Sequence, residues 1–499
     1  AAHPRDAEAH YWLANALVGE GDVAGARAAC EDALRADRQH ARARWALAMA
    51  QLPAIPMSVA EQQAGLAGFG AELGKLAQWC RTQAVGGVHE AVGSQQPFFL
   101  AYIDGNHRDL LQRYGTLCAD LMARWARKVK VPAPAAIHGG RLKVGVVSAH
   151  VNSHSVWHAL LRGWVEHLDP VRFDLQLFHT GALEDDETRW AKKKVRVHQG
   201  PGAWTSWAKA VSDAQLDVLV YPEIGMDATA LRLASLRLAR VQLAAWGHPM
   251  TSGLPTLDGF ISCEAFEPQD AQQHYAEKLI VLPGLGCAYP PYGTRPQAAD
   301  LSAWGVAPGD RLLLAPGHAF KYAPADDVLW VDIARRCAPC KLVFFRGSDG
   351  HAARLEQRLR AAFAAGGVDF DARVRIIPWQ PQAAYFDLLR RADVFLDTVG
   401  FSGFNTAMQA VECATPMVAW EGDFLRGRFG SGILRSLGME EWVARTHAEY
   451  VDRVARLCGD AQLRAQVRRT IEAQRPLLYR QKASVDALGR AMLEMASRA

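Results

Sequence analysis

The spacing of hydrophobic positions along the chain changes at about residue 140. Before that point apolar residues recur at helical intervals, and beyond it short apolar runs of strand length alternate with helix-sized gaps. Such alternation predicts mostly parallel sheets that are covered by helices on both faces. The stretch 131–140, VPAPAAIHGG, is rich in Pro and Gly and is interpreted as the linker between the two regions.

Beyond the linker, the apolar runs fall into two series of predicted strands. The first series is 141–148, 173–180, 216–222, 241–247, 257–263 and 278–284, and the second is 311–317, 340–347, 373–379, 392–398 and 415–420. The Pro- and Gly-rich stretch 283–296 separates the two series. Two doubly wound halves joined in this way predict a ligand crevice between them, at the carboxyl ends of the strands.

These series set the expected boundaries. Residues 141–295 are assigned to the first half, 296–480 to the second and 481–499 to a C-terminal helix. The last helical stretch, about 461–499, is long enough to pack back across the crevice.

The N-terminal region is predicted to be helical. Residues 7–40 fit one 34-residue helix–turn–helix unit with Gly21-Asp22 at the turn and Ala26 and Ala33 where the helices approach. This pattern is typical of the tail of a tetratricopeptide array, assigned to 1–50, although an isolated amphipathic hairpin is the alternative.

Residues 51–135 are predicted to form helices without a clear repeat. Within them lies an apolar group that is expected to pack as a plug against the next domain: Phe98, Phe99, Leu100 and Tyr102.

Composition narrows the class of protein. The 499 residues are 50% hydrophobic and 22% charged, which excludes a largely disordered chain. A net charge of +4 over this length does not indicate a nucleic-acid-binding protein. No apolar run approaches the length of a membrane span. Nine scattered cysteines and the absence of a signal-peptide layout at the start, AAHPRDAEAH, predict a cytoplasmic protein or a fragment of one.

The segment 392–420 carries the clearest candidate site. A predicted strand runs into a loop with Gly400 and Gly403, and a helix then opens at about Asn405-Thr406. Glycines allow backbone N–H groups to approach an anion, and a helix N-terminus adds unpaired donors. The alternative is a tight turn with a helix cap and no ligand.

Lys321 follows the predicted strand 311–317, where its ammonium could neutralise a leaving diphosphate. A solvated loop lysine is the alternative.

Two further loops carry candidate residues. His154 and His158 lie four apart after the strand 141–148, which suits one helix face, and His154 is the candidate general base while His158 is interpreted as structural. The turn 246–253, WGHPMTSG, offers the hydroxyls of Thr251 and Ser252 to the crevice, with an empty turn as the alternative.

Metal ligation is not expected. The pair Asp369 and Asp371 has the DxD form but lies in a predicted surface loop, and the two histidines have no matching carboxylate motif.

Seven collinear segments resemble the O-GlcNAc transferase and SPINDLY family, the family-41 glycosyltransferases. They are NSHSVWH; GHPMTSG followed by EKLIVLPG; HAFKYAP; WQPQAAYF; LDT with a glycine loop and NTAMQA; TPMVAWEGDFLRGR; and LGMEEWV. The resemblance implies an α/β fold of the GT-B type, two Rossmann-like halves preceded by an all-α tetratricopeptide segment. It also implies inverting, metal-independent transfer from a nucleotide sugar to Ser or Thr of a protein held by the repeats and the crevice.

The resemblance also implies residue roles. Lys321 matches the lysine that stabilises the diphosphate, and His154 matches a histidine near the acceptor. The implied donor-binding positions are His318, Gln380, Gln382, Tyr385, Gly403, Asn405, Thr406 and Gln409. The implied acceptor and sugar side comprises His248, Thr251, Ser252 and Asp227.

Two departures from the family matter. Gln409 stands where the animal enzymes have an Asp suited to ribose hydroxyls. The resemblance therefore does not determine which nucleotide is bound. The segment 221–227 adds Glu223 and Asp227 near the acceptor side, and either carboxylate is an alternative base to His154.

The expected co-substrate is a UDP-sugar, with no further cofactor and no nucleic-acid or membrane partner. The alternatives are an N-glucosyltransferase acting on Asn, a GDP-fucose-dependent O-fucosyltransferase and a non-catalytic repeat scaffold.

Overall fold

The structure, a computed structural model, describes residues 6–82, 86–137, 139–200 and 202–499. Residues 1–5 of the predicted repeat segment and His138 of the predicted linker lie outside these ranges. Within the described ranges, none of the helices is both long enough and apolar enough to cross a membrane.

Helices form the region before the sheets. They are α1 (Ala7–Glu20), α2 (Val23–Ala36), α3 (Ala41–Met49), α4 (Val59–Thr82) and α5 (Arg108–Val129), with a short 3₁₀ helix at Phe98–Tyr102 between α4 and α5.

The hairpin predicted for 7–40 is present as α1 and α2. Gly21 ends α1 at φ +79°, a left-handed conformation that glycine adopts without strain, and Asp22 caps α2. Ala26 and Ala33 are fully buried, so the two helices approach closely where the sequence has small side chains.

The first half of the sheet region is a seven-stranded parallel sheet. Its strands are β1 (Leu142–Ser148), β2 (Phe173–His179), β3 (Arg196–Gln199), β4 (Val218–Tyr221), β5 (Val241–Ala245), β6 (Gly259–Cys263) and β7 (Lys278–Leu282). A π-helical turn at Trp157–Leu161 leads into α6 (Arg162–His167), and α7 (Asp186–Lys192), α8 (Trp204–Asp213) and α9 (Ala228–Ala234) follow.

The second half is a six-stranded parallel sheet. Its strands are β8 (Arg311–Ala315), β9 (Cys340–Arg346), β10 (Val374–Pro378), β11 (Val394–Leu396), β12 (Met417–Trp420) and β13 (Val443–Ala444). Its helices are α10 (Asp327–Arg336), α11 (Asp349–Ala365), α12 (Phe370–Arg373), α13 (Gln382–Arg391), α14 (Phe404–Glu412), α15 (Phe429–Ser436), α16 (His447–Gly459) and α17 (Ala461–Gln474).

The two sheets have the same winding. Their orders are β3-β2-β1-β4-β5-β6-β7 and β10-β9-β8-β11-β12-β13, so the direction of winding reverses between β1 and β4 and between β8 and β11. A crevice opens at such a reversal because the loops after the two strands run to opposite faces of the sheet. The predicted α/β class with two doubly wound halves is confirmed.

The last helix, α18 (Lys482–Arg498), returns to the first half. Its Ser484 hydroxyl donates to the carbonyl oxygen of Pro283 (2.9 Å), and Gly489 lies against the ring of Phe173. The chain therefore crosses between the halves at 283–296 and again after α17.

Candidate active site

The loops at the two reversal points face each other and form one cleft. Those of the first half follow β1 and β4, and those of the second half follow β8 and β11. Asn405 bridges them, since its side-chain amide donates to the carbonyl oxygen of Ser155 (3.1 Å) and its oxygen accepts from the Tyr289 hydroxyl (3.1 Å).

Two adjoining cavities, of ≈ 240 Å³ and ≈ 340 Å³, make up this cleft. They share Ser155, Pro316, Trp379 and Thr406 as lining residues. The predicted residues that line one or both cavities are His154, His248, His318, Lys321, Gln380, Gln382, Tyr385, Gly403, Asn405, Thr406 and Gln409. The structure therefore brings together all eight of the predicted donor-binding positions.

The glycine loop after β11 is held from below by a buried carboxylate. Asp397 is 1% exposed; its oxygens accept from the Ser402 hydroxyl (2.7 Å) and the Gly403 N–H (3.4 Å). Burial raises the pKa of Asp397 to about 6. Because the loop is anchored on this side, the N–H groups of the first turn of α14, which lack intrahelical acceptors, are presented to the cleft.

Lys321 is the cation of this cleft. Its Nζ lies 4.7 Å from the centre of the Phe401 ring and would be 3.3 Å from a Cβ at Gly403. Burial lowers its pKa to about 8, with Asp397 acting in the opposite direction. The ammonium is thus still charged at pH 7 and lies beside the start of α14, an arrangement suited to a diphosphate.

An aromatic and amide wall borders the larger cavity. Trp379 stacks on His318 with ring centres 5.0 Å apart and planes 11° apart, and Trp379 remains 53% exposed. The Tyr385 hydroxyl is buried without a hydrogen-bond partner among the described residues. Gln380 and Gln382 complete this wall, which combines stacking faces with amide groups as a nucleobase requires.

His154 lines the same cavity from the first half of the sheet region. Its ring stacks on His150 (ring centres 3.7 Å apart), and its Nδ1 accepts a hydrogen bond from Val156 N–H (3.2 Å). Burial, with the neighbouring His150 and His158, lowers the pKa of His154 to about 4, so the ring is neutral at pH 7. In this tautomer the proton is on Nε2.

Glu223 is a buried carboxyl at the end of β4. One oxygen accepts from Ala149 N–H (3.1 Å), and the other has no partner among the described residues. Burial raises its pKa to about 8. Neither Glu223 nor Asp227 is among the residues that line the two cavities, and Asp227 caps α9 by accepting from Ala230 N–H (2.6 Å).

Some residues of the turn 246–253 line the cleft, and others are hydrogen-bonded in the protein interior. His248 lines the smaller cavity and stacks on Phe98. Thr251 and Ser252, expected at the acceptor side, both donate through their hydroxyls to buried Glu277, at 2.5 Å for Thr251. The structure therefore does not bring these two hydroxyls into either cavity.

Both carboxylates of the DxD pair make contacts with neighbouring parts of the chain. Asp369 caps α12, and Asp371 pairs with Arg360 (2.8 Å). Among the described residues no group of three His, Cys, Asp or Glu side chains is arranged to hold a metal ion.

Comparison with known proteins gives a consistent assignment. The family model described as Glycosyl transferase family 41 matches residues 318–483, which include Lys321 and the start of α14. A protein of Solanum lycopersicum named probable UDP-N-acetylglucosamine–peptide N-acetylglucosaminyltransferase SPINDLY is 24% identical over 332 residues, covering 64% of this chain and 34% of that protein.

Two further comparisons agree. The UDP-glucose:protein N-beta-glucosyltransferase of Actinobacillus pleuropneumoniae serotype 5b (strain L20) is 25% identical over 271 residues, covering 51% of this chain and 40% of that protein. A mutant of the Thermobaculum terrenum O-GlcNAc transferase has the same fold, with a TM-score of 0.68 at 20% identity over 99% of this chain and 98% of that one. Residues 318–483 are therefore similar to glycosyltransferase family 41, and the chain as a whole shares the fold of an O-GlcNAc transferase.

The chain spans only about a third of the length of the plant proteins that it matches, 34% of the tomato protein. The fold is GT-B, and the predicted resemblance to family 41 is confirmed over residues 318–483.

Several lining residues of the cleft are not predicted by the sequence. Trp379, Phe401 and Tyr292 all line the cleft, and Tyr102 reaches it from the helical region before the sheets. Trp379 could have been identified from the sequence as a candidate site residue, because it directly follows β10 at the carboxyl edge of the sheet. Tyr102 was recognised only as part of an apolar plug, and that plug is confirmed by the contacts of Phe98 with His248 and Phe320.

Proposed function

We propose that this protein is a family-41 glycosyltransferase that transfers GlcNAc or a related hexosyl group from a UDP-sugar to a Ser or Thr hydroxyl of a protein, with inversion and without a metal ion. The observation that carries the proposal is the cleft itself. Lys321 and the first turn of α14 line the smaller cavity, and the aromatic and amide wall lines the adjoining larger cavity together with His154.

The diphosphate is proposed to bind at Lys321, Gly403 and Thr406. As the bond between the anomeric carbon and the phosphate oxygen breaks, its electron pair passes to the diphosphate. The Lys321 ammonium and the N–H groups of α14 stabilise that charge from fixed positions. These groups supply the positive charge that a metal ion would otherwise provide.

The nucleobase is proposed to lie against the wall formed by Trp379, Tyr385, Gln380 and Gln382. Gln409, which hydrogen-bonds Tyr292, is proposed to meet the ribose. This arrangement leaves the sugar at the junction of the two cavities, where Ser155, Trp379 and Thr406 line both.

The acceptor hydroxyl attacks the anomeric carbon and loses its proton to a base. His154 lines the cavity, and its Nδ1 would accept the proton in exchange for the hydrogen bond that it now receives from Val156 N–H. Glu223 has a free carboxyl oxygen but lies behind the lining. The geometry therefore favours His154 as the base.

The first experiment measures thermal stabilisation by UDP, GDP and their sugar conjugates. A ligand that binds only the folded state stabilises it by about 2.7 kcal/mol at a hundred times its dissociation constant. A shift with UDP and UDP-sugars supports the proposal. A shift with GDP alone supports a fucosyltransferase-like donor, and no shift with any nucleotide supports a scaffold.

The second experiment identifies the linkage. The Actinobacillus relative is named as an N-glucosyltransferase, so transfer to Asn is the competing activity. Sugar attached to Ser or Thr is released by alkaline β-elimination, whereas sugar attached to Asn is not. A labelled product that resists β-elimination would overturn O-linked transfer and leave the donor assignment intact.

A further inference from the structure

Three aromatic side chains gather beside Lys321, and we call them the aromatic cage: Tyr102, Phe320 and Phe401. The Tyr102 ring lies 4.5 Å from the centres of both Phe320 and Phe401. Phe401 in turn lies 4.7 Å from the Nζ of Lys321. The cage therefore links the cation to a residue of the helical region that precedes both halves.

Tyr102 is held in this position by backbone contacts. It ends the 3₁₀ helix Phe98–Tyr102, and Arg426 donates to the carbonyl oxygens of Ile103 (3.1 Å) and Gly105 (2.8 Å) just beyond it. Arg426 is itself joined to the glycine loop, since its carbonyl oxygen accepts from Ser402 N–H (2.7 Å). One buried arginine thus fixes both Tyr102 and the loop that carries Phe401 and Gly403.

We propose that Tyr102 is a positioning residue for Lys321: it holds Phe401 beneath the ammonium, so that a segment outside the two halves completes the diphosphate site. This inference rests on the proposed function. Its physical basis is that a lysine side chain has several rotatable bonds, and a ring face at this distance attracts the cation and limits its position.

The cage also covers part of the ammonium, which otherwise faces the cleft. The ionisable groups around Lys321 are Asp397 below the loop and His318, with His351 beyond it. Burial is the largest influence on the pKa of Lys321 and lowers it. Replacing the ring of Tyr102 with a smaller side chain would admit water, and the lysine would then titrate at a higher pH.

The test compares Tyr102→Leu with Tyr102→Phe, which keeps the ring. Phe370→Leu is the matched control, because Phe370 also lies beneath a cation, with Arg360 4.3 Å from its ring centre, but it does not line the cleft. Folding of each variant is checked by its melting temperature. Phe401→Leu, which removes the ring directly under Lys321, serves if Tyr102→Leu does not fold.

Two readouts are taken. Competitive acetylation with acetic anhydride across pH, followed by mass spectrometry of the peptide containing Lys321, gives the titration of Lys321 without any need for activity. Steady-state transfer gives kcat and the KM for the donor. For Tyr102→Leu we expect Lys321 to titrate at a higher pH, because regained hydration outweighs any weakening of the cation–π contact, and a kcat about tenfold lower at little change in KM, because the ammonium is held less firmly. Tyr102→Phe and Phe370→Leu should match the wild type in both.

An unchanged Lys321 titration and kcat in the ring-deleting variant would overturn the inference. Equal losses in Tyr102→Phe and Tyr102→Leu would also overturn it, because the ring would then not be the cause. If the wild type transfers no sugar, the proposed function fails, while the acetylation readout still decides the role of Tyr102.

Discussion

Replacing Lys321 by Met should stabilise the folded protein while abolishing most of its activity. Met has a similar length and no charge, so it removes the ammonium and keeps the packing against Phe401. If Lys321 serves to bind the diphosphate, burial of its charge lowers the free energy of unfolding of the ligand-free protein.

The size of that cost follows from the pKa. Burial lowers the pKa of Lys321 from 10.5 to about 8. One unit corresponds to 1.36 kcal/mol, so the charged lysine costs about 3 kcal/mol at pH 7, of which the attraction to Phe401 returns about 1 kcal/mol. A net gain of about 2 kcal/mol raises the melting temperature by about 2 °C if the whole chain unfolds as one unit, and by more if the second half unfolds separately.

The pH dependence has a definite sign. Between pH 8 and 10.5 the unfolded lysine binds a proton that the folded one has lost, so the stability of the wild type rises with pH over that window. The gain in the free energy of unfolding from Lys321→Met should be complete below pH 8 and should vanish above about pH 10.5.

Melting temperatures of the two proteins at pH 7 and pH 10.5, with kcat at pH 7, provide the assay. Removing one charge stabiliser of this kind lowers kcat by about a hundred- to a thousandfold. A variant that is less stable than the wild type at pH 7, or that retains wild-type turnover, would refute the reasoning.

Three other outcomes are expected. If His154 is the base, kcat/KM should fall on the acid side near pH 4, whereas a base at Glu223 would place that limb near pH 8; profiles of His154→Ala and Glu223→Gln show which limb is lost. Gly403→Ala should raise the KM for the donor without altering the fold, because the new Cβ would displace the Thr406 hydroxyl and narrow the space beside the lysine, and titration with UDP measures it. Glu277→Gln should lower the stability by about 2 kcal/mol, since a buried acceptor of several hydrogen bonds becomes partly a donor, while turnover per folded molecule is unchanged; thermal denaturation and kcat check both.

The sheets could be predicted from the sequence because buried parallel strands are continuous apolar runs. All eleven predicted strands occur, and the reversal points of the winding then fix where Lys321 and Asn405 must lie. The two strands that were missed lack this signal. β3 is a half-exposed edge strand of four residues with one apolar side chain, and β13 has only two residues.

Other features depend on distant contacts that no local pattern encodes. Thr251 and Ser252 resemble ligand-binding hydroxyls in sequence, yet Glu277, some 25 residues later, takes both. Tyr102 is more than 200 residues from Lys321 in sequence, and only the folded chain shows that they share the aromatic cage.

Binding of the donor should be accompanied by proton uptake at alkaline pH. In the free protein Asp397, with a pKa of about 6, and Lys321, with a pKa of about 8, are both charged at pH 7. A diphosphate placed beside the lysine favours its charged form and raises its pKa, so at pH 9 part of the binding energy protonates it. Calorimetric titration with UDP at pH 9, in buffers with different ionisation enthalpies, should give up to about one proton taken up per UDP, against about a quarter of a proton or less at pH 7.5, where most of the lysine is already charged. Lys321→Met should show no uptake at either pH. Equal proton uptake in the variant and the wild type would place the titrating group elsewhere and remove Lys321 from the diphosphate site.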